Sequence, residues 1–263
     1  MKSLRKKLAI VQLFVKNSAM HRANIITGAV IFSVYIFVFA SLWEYMGSDV
    51  QVAGYSLQQM IWYLICTEFI MVACRTNIFS QITMDVKSGN IAYLVNRPVN
   101  YISYNLASSF GGNLISVMIY AVISVCLGVA LSSSLPSLTL SAVLPVLLSL
   151  LLGIFIQLYM QVCIGLSALY LGESTAVFLI YQKLVFLLGG FLPTTILPQW
   201  LQKLSALLPF QYVAGVPAKL FVSFSWTDFF QLVGAQVIYL GIIVLFTMVL
   251  TKRGMRKLQI YGG

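Results

Sequence analysis

Uninterrupted apolar runs of membrane-spanning length constrain this fold more than anything else in the chain. They run roughly over 24–45, 57–74, 106–131, 138–171, 175–192 and 229–250. About 20 consecutive apolar residues suffice to cross the hydrocarbon of a bilayer as a helix. A soluble domain carries about 25% charged residues, whereas this chain is 8% charged and 60% hydrophobic. No water-soluble fold hides that much apolar surface. Barrel strands would alternate apolar and polar residues over about 10 positions, which these runs do not do. The expected fold is therefore all-α: a polytopic membrane protein with six transmembrane helices, treated as one unit over 1–263.

The net charge of +10 would suggest a nucleic-acid partner in a soluble protein. Here the basic residues flank apolar runs and orient them instead, so no nucleic-acid partner is expected. Six crossings put both termini on one side. That side collects Lys2, Arg5, Lys6, Lys7, Lys16, Arg22, Arg75, Lys87, Arg97, Lys252, Arg253, Arg256 and Lys257, and the other holds only Lys203 and Lys219. The bias predicts cytoplasmic termini and a cytoplasmic loop between the second and third spans. The N-terminal 1–23 interleaves Leu4, Leu8, Val11 and Val15 with its basic residues. This pattern suits a helix lying in the membrane interface, and the apolar run that follows is too long for a cleavable signal.

Three polar features interrupt the apolar pattern. The first is the loop over 75–105, the only long polar stretch between spans. It holds Asp85, a turn-prone Lys87-Ser88-Gly89-Asn90, apolar Ile91, Tyr93, Leu94 and Val95, and the break Arg97-Pro98. Pro98 disfavours helical geometry at Arg97, so a short helix over 91–95 is expected to end there. Its apolar residues suit a groove on a soluble partner. An ordinary interfacial loop is the plainer reading.

The second is 193–226, divided by Pro193, Pro198, Pro209 and Pro217 into apolar pieces too short to cross the bilayer. Two short re-entrant helices account for it. Pro193, Pro198, Trp200, Pro209 and Phe210 are candidate outer-gate residues, with Trp200, Tyr212 and Trp226 suited to headgroup depth. The third is a pair of charges inside spans, Glu68 and Lys183. Each costs about 2.5–3.5 kcal/mol at mid-bilayer on insertion scales, so both should face protein or water, and they are candidates to pair. Cys66, Cys74, Cys126 and Cys163 lie in or beside apolar runs and are expected to be buried free thiols. His21 is the only histidine.

The chain has no GxxxxGK[ST] and thus no P-loop of its own. Neither a Ser–His pair nor a carboxylate-rich metal site is legible. Catalytic, cofactor-binding and metal-binding residues are therefore all expected to be absent.

Taken together, Ser88–Asn100, Phe191–Pro198, Leu208-Pro209-Phe210 and the tail Tyr261-Gly262-Gly263 resemble permease subunits of the ABC type 2 exporter family. The resemblance is to a bacterial branch of multidrug or antibiotic-efflux permeases and covers nearly the whole chain. It implies that the 75–105 loop carries a coupling helix, with Asp85, Asn90, Ile91, Tyr93, Leu94, Arg97 and Pro98 at the contact. The partners implied are two ABC ATPase subunits, which hold ATP and Mg, and a second permease chain, identical or related. The implied function is export of an amphipathic or lipid-like substrate across a bacterial plasma membrane. An ATP-independent secondary transporter or channel is the alternative; it explains the spans but gives the loop no task.

Overall fold

The computed structural model describes residues 9–16, 22–45, 54–73, 78–134, 138–190 and 193–261. Among them the regular structure is helical. The helices are α1 (9–16), α2 (Arg22–Tyr45), α3 (Leu57–Ala73), α4 (Ile78–Lys87), α5 (Asn90–Val95), α6 (Tyr101–Ser132), α7 (Leu140–Leu171), α8 (Thr175–Val185), α9 (Gln199–Leu207), α10 (Gly215–Val222) and α11 (Trp226–Tyr261). Four stretches are long and apolar enough to cross a membrane: Ile25–Tyr45, Tyr101–Ser132, Leu140–Leu171 and Trp226–Gly254. Leu57–Val72 and Thr175–Gly190 are shorter apolar helices. The chain is a multi-pass membrane protein.

Helix α3 forms the centre. Met60 to Thr67 and Ile70 are all buried, so it is apolar around its whole circumference, as a helix enclosed by others must be. The opening turn of α3 is a reciprocal cap: Gln59 N–H donates to Ser56 Oγ at 3.3 Å, and Ser56 N–H to Gln59 Oε1 at 3.0 Å. Helices α2 and α6 cover one flank. Trp62 Nε1 of α3 donates to Ser134 O beyond the end of α6 at 3.1 Å, and Tyr120 Oη of α6 donates to Ile25 O at 3.2 Å. Helix α7 carries α11 along its length through polar contacts at separate depths. Ser149 Oγ donates to Gln236 Oε1 at 2.9 Å, and Cys163 Sγ lies 2.9 Å from Thr247 Oγ1. Gln236 Nε2 also donates to Tyr212 O at 2.9 Å. Where water is absent such pairs hold helices together, because an unmatched polar group has no alternative partner.

The outward faces of α2 and α11 are apolar and exposed, for example Val30, Val34 and Phe37, and Ile238, Ile242 and Leu245. That is the reverse of a soluble bundle and suits a lipid surroundings. Cys126, expected to be buried, lies on such a face of α6 between Val122 and Val129, and is exposed. Cys66 and Cys163 are buried; Cys74 lies outside the described residues.

Several boundaries differ from expectation. The helix of the third expected span begins at Tyr101, not Leu106, because Asn100 caps it by accepting from Ser103 N–H at 3.0 Å. The last helix extends to Tyr261, so the basic residues after Leu250 continue the span as helix rather than forming a loose tail. The fifth apolar run leaves α-geometry early, at a π-turn over Phe186–Gly190. Of the expected interfacial helix over 1–23, residues 9–16 are helical, with Val11 against Gly111 of α6 and the Phe14 ring edge-on to Tyr104 at 6.2 Å. The remainder before Arg22, together with 75–77, 191–192 and 262–263, lies outside the described residues.

Candidate functional site

The polar interval between α3 and α6 is two helices joined by a tight turn. Helix α4 lies over the stretch read from sequence as loop. Ile78, Ile82 and Val86 recur every four residues, which makes one apolar stripe on a short amphipathic helix. Ser88 Oγ donates back to Met84 O at 2.8 Å. Gly89 then takes the left-handed conformation, φ +73°, which an L side chain rarely adopts, and the chain turns into α5. Asn96 closes α5, its side chain donating to Ala92 O at 2.9 Å.

A second apolar cluster sits beneath this pair. Ile78 and Ile82 of α4, Ile91 of α5 and Tyr101 of α6 pack on Leu158, Val162, Leu166 and Leu169 of α7. The approach to α7 is close. A Cβ on Gly165 would lie 2.8 Å from Ile82 Cβ and 3.0 Å from Phe79 O. Helix α4 is also clasped sideways to the start of α8. Phe79 stacks on Phe178 with ring centroids 3.7 Å apart and planes 13° from parallel. The Thr83 and Ser174 hydroxyls share a hydrogen bond, and Lys87 Nζ donates to Glu173 in an ion pair. Glu173 Oε1 in turn caps α8, accepting from Ser174 N–H at 2.9 Å, Thr175 N–H at 3.1 Å and Thr175 Oγ1 at 2.8 Å. Lys87 first and Thr175 next pull the Glu173 carboxyl down to about 2.

The sequence-derived contact residues divide between two faces. Ile91 is 0% exposed, locked in the cluster under α5, and is not available to a partner. This corrects its assignment as an anchor: α5 is amphipathic, and Ile91 is on the face that its own chain needs. Leu94 and Val95 are half-buried against the same cluster. Tyr93 is 68% exposed, with the Arg97 guanidinium 5.0 Å above its ring, and Asn90 and Pro98 are exposed beside it. Asp85 is half-buried and accepts from Tyr101 Oη at 2.6 Å. Met84 of α4, which the sequence did not single out, is exposed. Lys87, Glu173, Thr83 and Ser174 were also missed as a set. Their only sequence signal is a polar turn after the fourth apolar run, which says nothing about what it touches.

Glu68 and Lys183 do not pair. Glu68 is half-buried on α3 and faces the Tyr35 phenol of α2, while Lys183 is exposed on α8. The ion pairs among the described residues are Lys87–Glu173 and Lys219–Asp228, the latter at 3.1 Å.

The Pro-divided stretch packs at the other end of α7 and α8. It contains α9, α10 and 3-10 turns at Thr194–Ile196 and Pro209–Tyr212. Pro193 and Phe210 are buried, Pro209 is half-buried, and Pro198 and Trp200 are exposed. Helix α10 is mostly enclosed, from Gly215 through Ala218 and again at Leu220 and Val222. Ser205 Oγ donates to Leu188 O at 2.8 Å, and Tyr239 Oη of α11 to Leu207 O at 2.7 Å, tying α9 to the turn after α8 and to α11.

No curated protein matches the chain. A family model described as "ABC-2 family transporter protein" matches residues 29–262, from within α2 to beyond the end of α11, and takes in the α4–α5 pair and the Pro-divided stretch. With more than half of its length matched, this chain belongs to the ABC-2 transporter family, as the transmembrane permease component of an ABC transporter.

Proposed function

We propose that this chain is the membrane half of an ATP-driven exporter that moves an amphipathic or lipid-like substrate out of a bacterial cell. It crosses the plasma membrane six times, with both termini and the α4–α5 pair in the cytoplasm. ATP and Mg belong to two separate ATPase subunits, and a second permease, identical or related, completes the transporter. Helices α4 and α5 are the coupling element. The α9–α10 stretch is the outer gate, with Pro193, Pro198, Trp200, Pro209 and Phe210 at its bends and surface.

One observation carries this reading. Tyr93 and Arg97 are exposed together at α5 and its end, while Ile91 of α5 and the buried residues of α4 are fixed to α7, and Lys87 of α4 to the turn before α8. A helix pair with no task needs no such clasp, and a large aromatic held out under a guanidinium is the kind of group that interfaces favour. Nucleotide-driven closure of the ATPases would push this face and shift the spans between two packings.

The test is assembly and coupling with the ATPase subunit, using Tyr93→Asp and Arg97→Glu. Both variants are expected to fold, to lose co-purification of the ATPase and to lose transport. Undiminished assembly in Tyr93→Asp would refute the docking surface. Leu94→Asp is the less clean probe, since its side chain also supports the cluster beneath.

A further inference from the structure

A groove of about 370 Å³ opens between α4, α5 and the first turns of α6, lined by Asp85, Tyr93, Arg97, Tyr101, Tyr104 and Asn105 among others. Its polar groups are out of balance. Asp85 receives one hydrogen bond, from Tyr101 Oη at 2.6 Å, and is in neither of the ion pairs among the described residues. Asn105 is 1% exposed. Its Nδ2 donates to Tyr101 O at 3.0 Å, yet its buried Oδ1 has no partner. A buried carbonyl oxygen without a donor costs free energy that a bound donor would recover. The cation in the lining, Arg97, is held over the Tyr93 ring at 5.0 Å. The groove therefore offers a carboxylate in no ion pair among the described residues, an orphan carbonyl oxygen and aromatic walls, with Gln81, Asn90 and Arg97 also in its lining.

We propose that this groove is a socket for a basic side chain, arginine or lysine, projecting from the ATPase subunit. Such a group has only donors to offer, matches both acceptors, and is attracted to the faces of the surrounding tyrosines. An anionic group entering the same groove would meet Asp85. The proposal rests on the docking role given to α4–α5 above and adds the chemistry that the partner must present. It also adds Asn105, at the root of α6, as a recognition residue.

The test titrates purified ATPase subunit against full-length permease in lipid nanodiscs at low and high salt. Asp85→Asn is expected to weaken binding at least about tenfold and to flatten its salt dependence, as loss of one member of a desolvated charge pair does. Asn105→Leu is expected to weaken it as well. A charge-reversed Asp85→Arg should be restored by a Lys→Glu or Arg→Glu change at one position of the ATPase. Wild-type affinity and salt slope in Asp85→Asn, with binding lost in Tyr93→Asp, would overturn the socket and leave docking intact. A thermal midpoint lowered in Asp85→Asn alongside the lost binding would assign the effect to local folding and also overturn it. Binding retained in Tyr93→Asp would overturn the docking reading itself.

Discussion

Replacing Gly165 by alanine tests whether α4 is held against α7 tightly enough to transmit force. The added methyl would lie 2.8 Å from Ile82 Cβ, 3.0 Å from Phe79 O and 3.1 Å from Ile82 Cγ2. Two of those atoms are a backbone oxygen and a Cβ, which no rotamer change can move. Carbon atoms rest at about 3.5–4.0 Å, so α4 must lift by about 1 Å. Overpacking of this kind costs about 1–3 kcal/mol. The lift acts directly on the Phe79–Phe178 stack and the Thr83–Ser174 hydrogen bond, which lie on the same helix. Gly112 on α6 is the matched control, because a Cβ there meets nothing within 4 Å. An alanine there gains up to about 1 kcal/mol of helix propensity. The assay is the thermal midpoint of the purified chain, followed by ATP-dependent transport with the partner subunit. Gly165→Ala should lower the midpoint and uncouple transport, and Gly112→Ala should leave the chain as stable or more so. Equal stability and transport in the two variants would refute the tight approach of α4 to α7.

Three further outcomes follow from the same geometry. Lys87→Glu should leave the stability of the isolated chain nearly unchanged, since exposed ion pairs contribute little. It should impair transport, because Glu173 then faces a like charge. The Glu173 carboxyl is pulled from its ordinary 4.5 to about 2, so the pair's contribution is complete above 4.5 and is lost only as pH falls from there through about 2. Crosslinking between α4 and the α7–α8 turn should therefore be insensitive to pH across the neutral range. Ile91→Ala should cost about 2–5 kcal/mol of stability as a fully buried truncation, whereas Tyr93→Ala should cost almost none; thermal or denaturant unfolding separates them. Gln236→Leu strips partners from Ser149 and from Tyr212 O. It should destabilise by about 1–3 kcal/mol, read as a lower midpoint without loss of membrane insertion.

The sequence makes the spans legible because hydrocarbon length is a one-dimensional requirement, and a run of apolar residues either meets it or does not. The α4 helix is harder to read for an identifiable reason. Ile78, Ile82, Thr83 and Val86 are β-branched, so local propensity argues against helix. What decides in its favour is burial of the Ile78–Ile82–Val86 stripe on α7, a tertiary contact invisible from residue order. Ile91 and Tyr93 show the same limit within a single turn. Both are apolar residues of α5, and only the position of the second cluster reveals that one serves the fold and the other faces out. Glu68 and Lys183 were candidates to pair because sequence shows charge and depth. It does not show azimuth, which turns Glu68 to Tyr35 instead. The candidate contact segment was thus legible as a location, while its clasp to α8 and its open groove were not.

On the proposed function, the clasp matters more than the docking face alone. A short helix resting only on lipid could be pushed without moving anything, because it would slide. Helix α4 has contacts in two directions, downward onto α7 through Ile82 and sideways onto α8 through Phe79, Thr83 and Lys87. Three chemically different sideways contacts fix its angle as well as its distance: a ring stack, a hydroxyl pair and an ion pair each constrain a different orientation. Glu173 is shared between the clasp and the cap of α8, so displacing Lys87 disturbs the first turn of that helix directly. Close packing transmits such displacements instead of absorbing them. A push on Tyr93 therefore reaches the α7–α8 turn by contiguous rigid parts, and the part that yields must lie further along α8. Its regular geometry gives way at the π-turn over Phe186–Gly190, where Gly189 and Gly190 pack against Phe210 and Ala214 of the proposed outer gate.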